Sequence, residues 1–348
     1  MPITRRHILA LTGSGLLSRV FGAELPGSTE RAAFDVDRLL DAHSPDRANA
    51  AGRVELRRYT ASAAVMLFSI PLVSRPSVGS GYAVVEQVAQ TISLQFGAGS
   101  YPESARGLNR LGFIQEAVVE ERPGRPAETA WLAFMTTSKE TSLDQAKRAM
   151  EESGEMVPYS ASQGNGRDGR FRSRVDRLEF ASKFTWRDIV QLVDKARGNM
   201  LPLGGAESRS ALSETSVSDA EKPATFLYMV RQAILDKRTR TAGSLVFNAK
   251  EFRLETRKES DSAATAHFAE KSLLRAGSSV MRLDALLTEK KTGIRTPFRV
   301  WYDAGAERSL PLRFEYQARS FLRLTFEADA KAGAPPIRFA FKSSKENA

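Results

Sequence analysis

From residue 279 to residue 328 apolar and polar side chains alternate with a period of two, and turn residues interrupt the alternation roughly every ten residues. Phe298, Val300 and Tyr302 fall on one side of an extended chain while Arg299, Trp301 and Asp303 fall on the other. Leu310, Leu312, Phe314 and Tyr316 repeat the apolar side, as do Leu322, Leu324 and Phe326. A helix of 3.6 residues per turn cannot gather such a pattern onto one face, so this part of the chain reads as an antiparallel meander. Strands are predicted at 241–248, 251–258, 263–269, 279–289, 296–303, 309–317, 321–328 and 336–342. A sheet with one apolar face must cover it, against helices or by curling on itself. The expected fold is therefore mainly β (α+β), a curled antiparallel sheet or half-barrel with a few covering helices.

The first half repeats the texture less evenly. Val54 to Thr60 alternates, Ala63 to Ile70 is nearly all apolar, and Tyr82–Val88, Thr91–Phe96, Phe113–Glu120 and Thr129–Met135 read as further strands. Pro71, Pro76 and Gly79 read as punctuation, 97–102 as a loop, 104–112 as a short helical turn, and 160–169 as a flexible polar loop. Helices are predicted near 142–150, behind Ser142 as cap, near 185–197, between Thr185 and Gly198, and over about a dozen residues from Ala224. The expected organisation is a signal peptide at 1–23, a leader at 24–52, a β-rich region at 53–200, a linker at 201–222 rich in Ser, Gly and Glu, and a C-terminal β region at 223–343.

Arg5 and Arg6 precede a weakly apolar run from Ile8 to Leu17, the pattern of a twin-arginine export signal, with cleavage near Gly22–Ala23. The apolar run is too short and too polar to anchor the chain, which takes about 20 apolar residues. The expected location is periplasmic or secreted. No cysteine occurs among 348 residues, which excludes disulfides, a thiolate nucleophile and a lipid-attachment cysteine, and leaves burial to stabilise the fold. The net charge of +10 favours anionic envelope surfaces over any specific partner. Neither nucleic-acid binding nor membrane spanning is expected.

Sequences that carry chemistry are sparse. Gly164-Asn-Gly166-Arg-Asp-Gly169 fits the dinucleotide fingerprint by letter but lacks the strand before it and the helix within it. Lys291-Thr292-Gly293 belongs to a turn between strands, since the S-x-x-K partner it would need is absent. Three histidines, two of them outside the predicted strands, cannot build a histidine zinc site. No cofactor, metal or catalytic residue is assigned, and the chain reads as non-enzymatic. Arg170, Arg172 and Arg174 share one face of a strand, either an anion-binding stripe or a charged strand that resists edge aggregation.

Segment 223–328 resembles a family of uncharacterised exported bacterial β-proteins, a domain of unknown function. The resemblance lies in Phe226-Leu-Tyr228-Met-Val-Arg231, Val300-Trp301-Tyr-Asp303 and Leu310-Pro311-Leu-Arg313-Phe-Glu315. Such proteins are similar in layout to the periplasmic lipoprotein-carrier and lipoprotein-receptor fold, which implies a concave apolar face and a hydrophobic or lipid-like ligand. Trp301, Arg313 and Arg319 are then the candidate ligand contacts. The alternatives are an exported hydrolase using acids such as Glu116, Asp303 and Glu315, or a structural component of the envelope.

Overall fold

The computed structural model describes residues 53–67, 70–100, 110–137, 155–165, 170–180, 213–216, 224–247, 250–305, 310–319 and 322–329. The signal and leader, the helices predicted near 142–150 and 185–197, and the strand at 336–342 lie outside the described residues.

Eight strands come first: β1 (Arg53–Leu67), β2 (Ile70–Val88), β3 (Thr91–Ser100), β4 (Arg110–Arg122), β5 (Arg125–Thr137), β6 (Glu155–Asn165), β7 (Arg170–Phe180) and β8 (Ser213–Ser216). Helix α1 (Phe226–Leu235) follows, then β9 (Arg240–Phe247), β10 (Lys250–Ser260), helix α2 (Ser262–Glu270), β11 (Val280–Glu289), β12 (Arg295–Asp303), β13 (Arg313–Arg319) and β14 (Leu322–Ala328). All fourteen strands join one sheet in the order β8-β7-β6-β5-β4-β3-β2-β1-β14-β13-β12-β11-β10-β9, each neighbour antiparallel. The two halves of the sequence meet where β1 pairs with β14, with Tyr59 opposite Ala328 and Val65 opposite Leu322. The outermost strands, β8 and β9, do not pair, so the sheet is open.

The sheet curls strongly. Along a flat sheet β3 and β13 would lie about 19 Å apart, at roughly 4.8 Å per strand step, yet Phe96 and Phe314 meet at 4.9 Å between ring centroids. Strands β5 and β9 would be about 48 Å apart by the same spacing, yet Trp131 stacks on Phe247 at 4.7 Å. The curled stretch from β5 round to β9 therefore comes back upon itself through side chains, without a hydrogen-bonded seam. Edge β9 is shielded by Ala224, two residues before α1: the Val246 N–H donates to the Ala224 carbonyl, and the Ala224 N–H to the Ser244 carbonyl, both at 3.3 Å.

Each face of the sheet has its own cover. The concave face carries Tyr59, Ala61, Ala63, Phe326 and Leu322 in one cluster and Leu245, Phe252, Leu254, Leu283, Leu287 and Val300 in another. Helix α1 lies on that face, with Tyr228 against Ile92, Leu94 and Val118, and Val230, Ala233 and Ile234 against the β9–β12 cluster. On the convex face α2 packs Phe268 against Val280, Trp301 and Leu312.

Several local expectations need correction. Residues 263–269 form α2 and not a strand, because the Asp261 side chain accepts the Ala264 N–H at 2.9 Å and caps the first turn. Residues 97–100 belong to β3, where the missing side chain at Gly97 lets the Tyr82 ring lie across the strand. Pro71, Pro76 and Gly79 fall inside the 19-residue β2, whose irregularities are two shifts of register, one opposite Ala61–Ala63 and close to Ser77 at φ 53°, the other opposite Val65–Met66. Residues 110–112 begin β4, and 160–165 continue β6. A four-residue strand, β8, lies within the stretch read as linker.

Candidate functional site

The concave face carries a continuous set of apolar side chains. Period-two alternation in β12, β13 and β14 puts Phe298, Val300, Phe314, Tyr316, Leu324 and Phe326 on it, since Phe314 is opposite both Val300 and Phe326 in register. Tyr59 meets Phe314 edge-on at 5.4 Å, Phe96 meets Phe326 at 5.7 Å, and Phe314 stacks on Phe326 at 4.6 Å. Phe96, Phe298, Phe314, Tyr316 and Leu324 nonetheless stay partly exposed. Helix α1 covers the neighbouring part of the face, against β3, β4 and β9, and fits closely there: a Cβ added at Gly243 would fall 2.2 Å from the Met229 methyl carbon.

Two acids on β4 hold the helix in place. Glu116, fully buried, accepts the backbone N–H of Leu227 at 2.7 Å and of Tyr228 at 2.9 Å. These first-turn donors have no partner within the helix, and no side chain at the N-cap, Thr225, supplies one. Four residues along β4, Glu120 accepts the Tyr228 hydroxyl at 2.6 Å and the Gln232 amide at 3.3 Å. Desolvation raises the Glu116 carboxyl to about 7 in spite of the N–H donors, which favour its charged form. Glu86, also buried, is raised to about 7 by desolvation, and its Oε1 has no hydrogen-bond partner among the described residues.

The candidate residues from the sequence take different places. Trp301 and Arg313 come together, but on the convex face: the Trp301 indole N–H donates to Asp261 at 2.9 Å, and the Arg313 guanidinium lies 5.4 Å from the Trp301 ring and 5.2 Å from Phe268. Arg313 also donates to Glu327 at 2.8 Å, as His267 approaches the same carboxylate at 2.8 Å and Lys271 donates to it. Burial alone would raise Glu327; the bonds from Lys271 and His267 and the charge and bonds of Arg313 outweigh it and lower the group to about 2. Arg319 ends β13 opposite Leu322. Arg170, Arg172 and Arg174 alternate along β7, and among the described residues β8 pairs with Arg170–Ser173.

The three acids considered for hydrolysis do not converge. Glu116 caps α1 on the concave side, whereas Asp303 accepts the Gly305 N–H at 2.8 Å and Glu315 sits between Phe314 and Tyr316, so both belong to the opposite face. The glycine-rich segment joins antiparallel β6 to β7, and Gly293, at φ 69°, lies in the β11–β12 turn. Among the described residues no group of three His, Asp or Glu is placed to hold a metal, and no helix is long and apolar enough to cross a membrane. The Glu116 contact joins residues 111 positions apart, and no local signal in the sequence marks it.

The structure is similar to the crystal structure of a beta-barrel-like protein of a domain of unknown function, DUF1849, from Brucella abortus, at 8% sequence identity and a TM-score of 0.44 over 80% of this chain and 98% of that one. No family model and no curated protein matches the sequence.

Proposed function

We propose that this chain is an exported protein of the cell envelope that performs no catalysis and binds a hydrophobic or lipid-like molecule against its concave face. The observation that carries the reading is the set of partly exposed Phe96, Phe298, Phe314, Tyr316 and Leu324 inside the curl. Apolar side chains left in contact with water on a concave surface are the usual mark of a ligand site. Export rests on Arg5 and Arg6 and the apolar run after them. Among the described residues Glu116, Asp303 and Glu315 do not converge on the concave face, and Glu116 is engaged by the α1 backbone, which fits binding better than hydrolysis. Native mass spectrometry and organic extraction of protein purified from its own envelope fraction test the proposal. An extractable apolar molecule is expected, and a protein that is bare by both measurements rules it out.

A further inference from the structure

The far end of β2 reaches past β3. Among the described residues β3 pairs with β2 only from Gly79 to Val88, whereas β14 backs β1 as far as Val65, so the far end of the hairpin is an arm whose β2 edge carries no neighbouring strand. Every residue from Pro71 to Ser77 is exposed, with Leu72 at 59% and Val73 at 55%, and Val65, opposite Val73 in register, at 42%. Val73 is opposite Val65 in register, and the register shift between Val65 and Met66 leaves Leu72 as an extra residue in a bulge beside them, so three exposed apolar side chains gather at the end of the arm.

Charge narrows the occupant further. From Leu56 to Val85 the sequence contains Arg57, Arg58 and Arg75 and no acid, in a chain of net charge +10. Arg75 is exposed beside the apolar residues, while Arg57 is turned inward to the Leu310 carbonyl at 2.8 Å. An added partner strand is disfavoured, because Pro71 and Pro76 remove two N–H donors from the unpaired stretch and Ser77, at φ 53°, bends it. A cluster of exposed apolar residues, a flanking cation and no acid match the interfacial zone of a bilayer carrying anionic phospholipid.

We infer that the β1–β2 arm docks the protein on an anionic membrane surface, with Leu72, Val73 and Val65 entering the headgroup–acyl boundary and Arg75 meeting phosphate. This docking is separate from ligand binding on the concave face and does not depend on it. The test is co-sedimentation of the full mature chain with vesicles of phosphatidylcholine alone and of phosphatidylcholine with phosphatidylglycerol. Wild type is expected to sediment with the anionic vesicles. Leu72→Asp with Val73→Asp is expected to lose about tenfold or more in affinity, and Arg75→Glu to lose binding selectively on the anionic vesicles. Lys237→Glu, an exposed charge beyond the end of α1, keeps wild-type binding. Unfolding midpoints measured on each variant separate lost binding from lost fold. Wild type that stays in the supernatant overturns the inference, as does an aspartate variant that binds like wild type. Self-association abolished by Leu72→Asp, without vesicle binding, overturns it in favour of a second copy as the occupant.

Discussion

Trp131 on β5 stacks on Phe247 on β9 with ring centroids 4.7 Å apart and planes inclined by 14°. No hydrogen-bonded ladder joins those strands, so this contact and helix α1 close the curl. Replacing a buried Trp with Ala typically costs about 3–5 kcal/mol. Trp131→Ala is expected to fall in that range by urea unfolding, and a double-mutant cycle with Phe247→Leu should give a coupling of about 0.5–1.5 kcal/mol.

Glu116 serves the N-terminus of α1 from another strand. Glu116→Ala leaves two buried N–H groups without an acceptor and is expected to cost about 1–3 kcal/mol for each group left unpaired. Glu116→Gln keeps a carbonyl acceptor and should cost less. Hydrogen exchange at Leu227 and Tyr228, faster in the alanine variant than in the glutamine one, checks the assignment.

Two glycines that face similar crowding should respond differently to Ala. At Gly97 an added Cβ would lie 2.5 Å from the Tyr82 ring, a rigid obstacle held in a buried position. At Gly243 the obstacle is the Met229 methyl carbon, at the end of a flexible side chain. Gly97→Ala is expected to cost about 1–3 kcal/mol, with Gly243→Ala costing clearly less in the same denaturation assay.

Stability should depend on pH in two opposed ways. Folding raises Glu86 and Glu116 from 4.5 to about 7, so between those values the folded protein holds the extra protons and stability falls as pH rises. Glu327 is lowered from 4.5 to about 2, so its contribution is present above 4.5 and is lost as pH falls toward 2. Thermal midpoints across this range should show Glu86→Gln reducing the slope of the upper limb, with Glu116 left to supply the rest, and Glu327→Gln flattening the lower.

What could be read in the sequence follows from the reach of each signal. Period-two alternation in Phe298–Asp303 and Leu322–Phe326 revealed both strands and faces, because each residue reports its own side of the sheet. The helix from Phe226 showed itself by its apolar spacing. Thr265-Ala-His267-Phe268 misled, since its β-prone residues outweighed the cap at Asp261. Gly97 and Gly99 looked like a loop, although Gly97 is there to let a ring cross the strand. Trp301 and Arg313, taken as ligand contacts together with Arg319, are opposite each other in register on the face that α2 covers, and alternation alone could not tell that convex face from the concave one. The curl itself depends on meetings such as Phe96 with Phe314, which no local pattern encodes.

The concave apolar face as a ligand site is tested most directly by titrating a fluorescent fatty acid into wild type and into Leu324→Arg, a change at a partly exposed position inside the curl. Saturable one-to-one binding to wild type, weakened by about tenfold or more in the variant while the unfolding midpoint stays close to wild type, is the predicted result. Absence of saturable binding to wild type, or equal binding to both proteins, contradicts it.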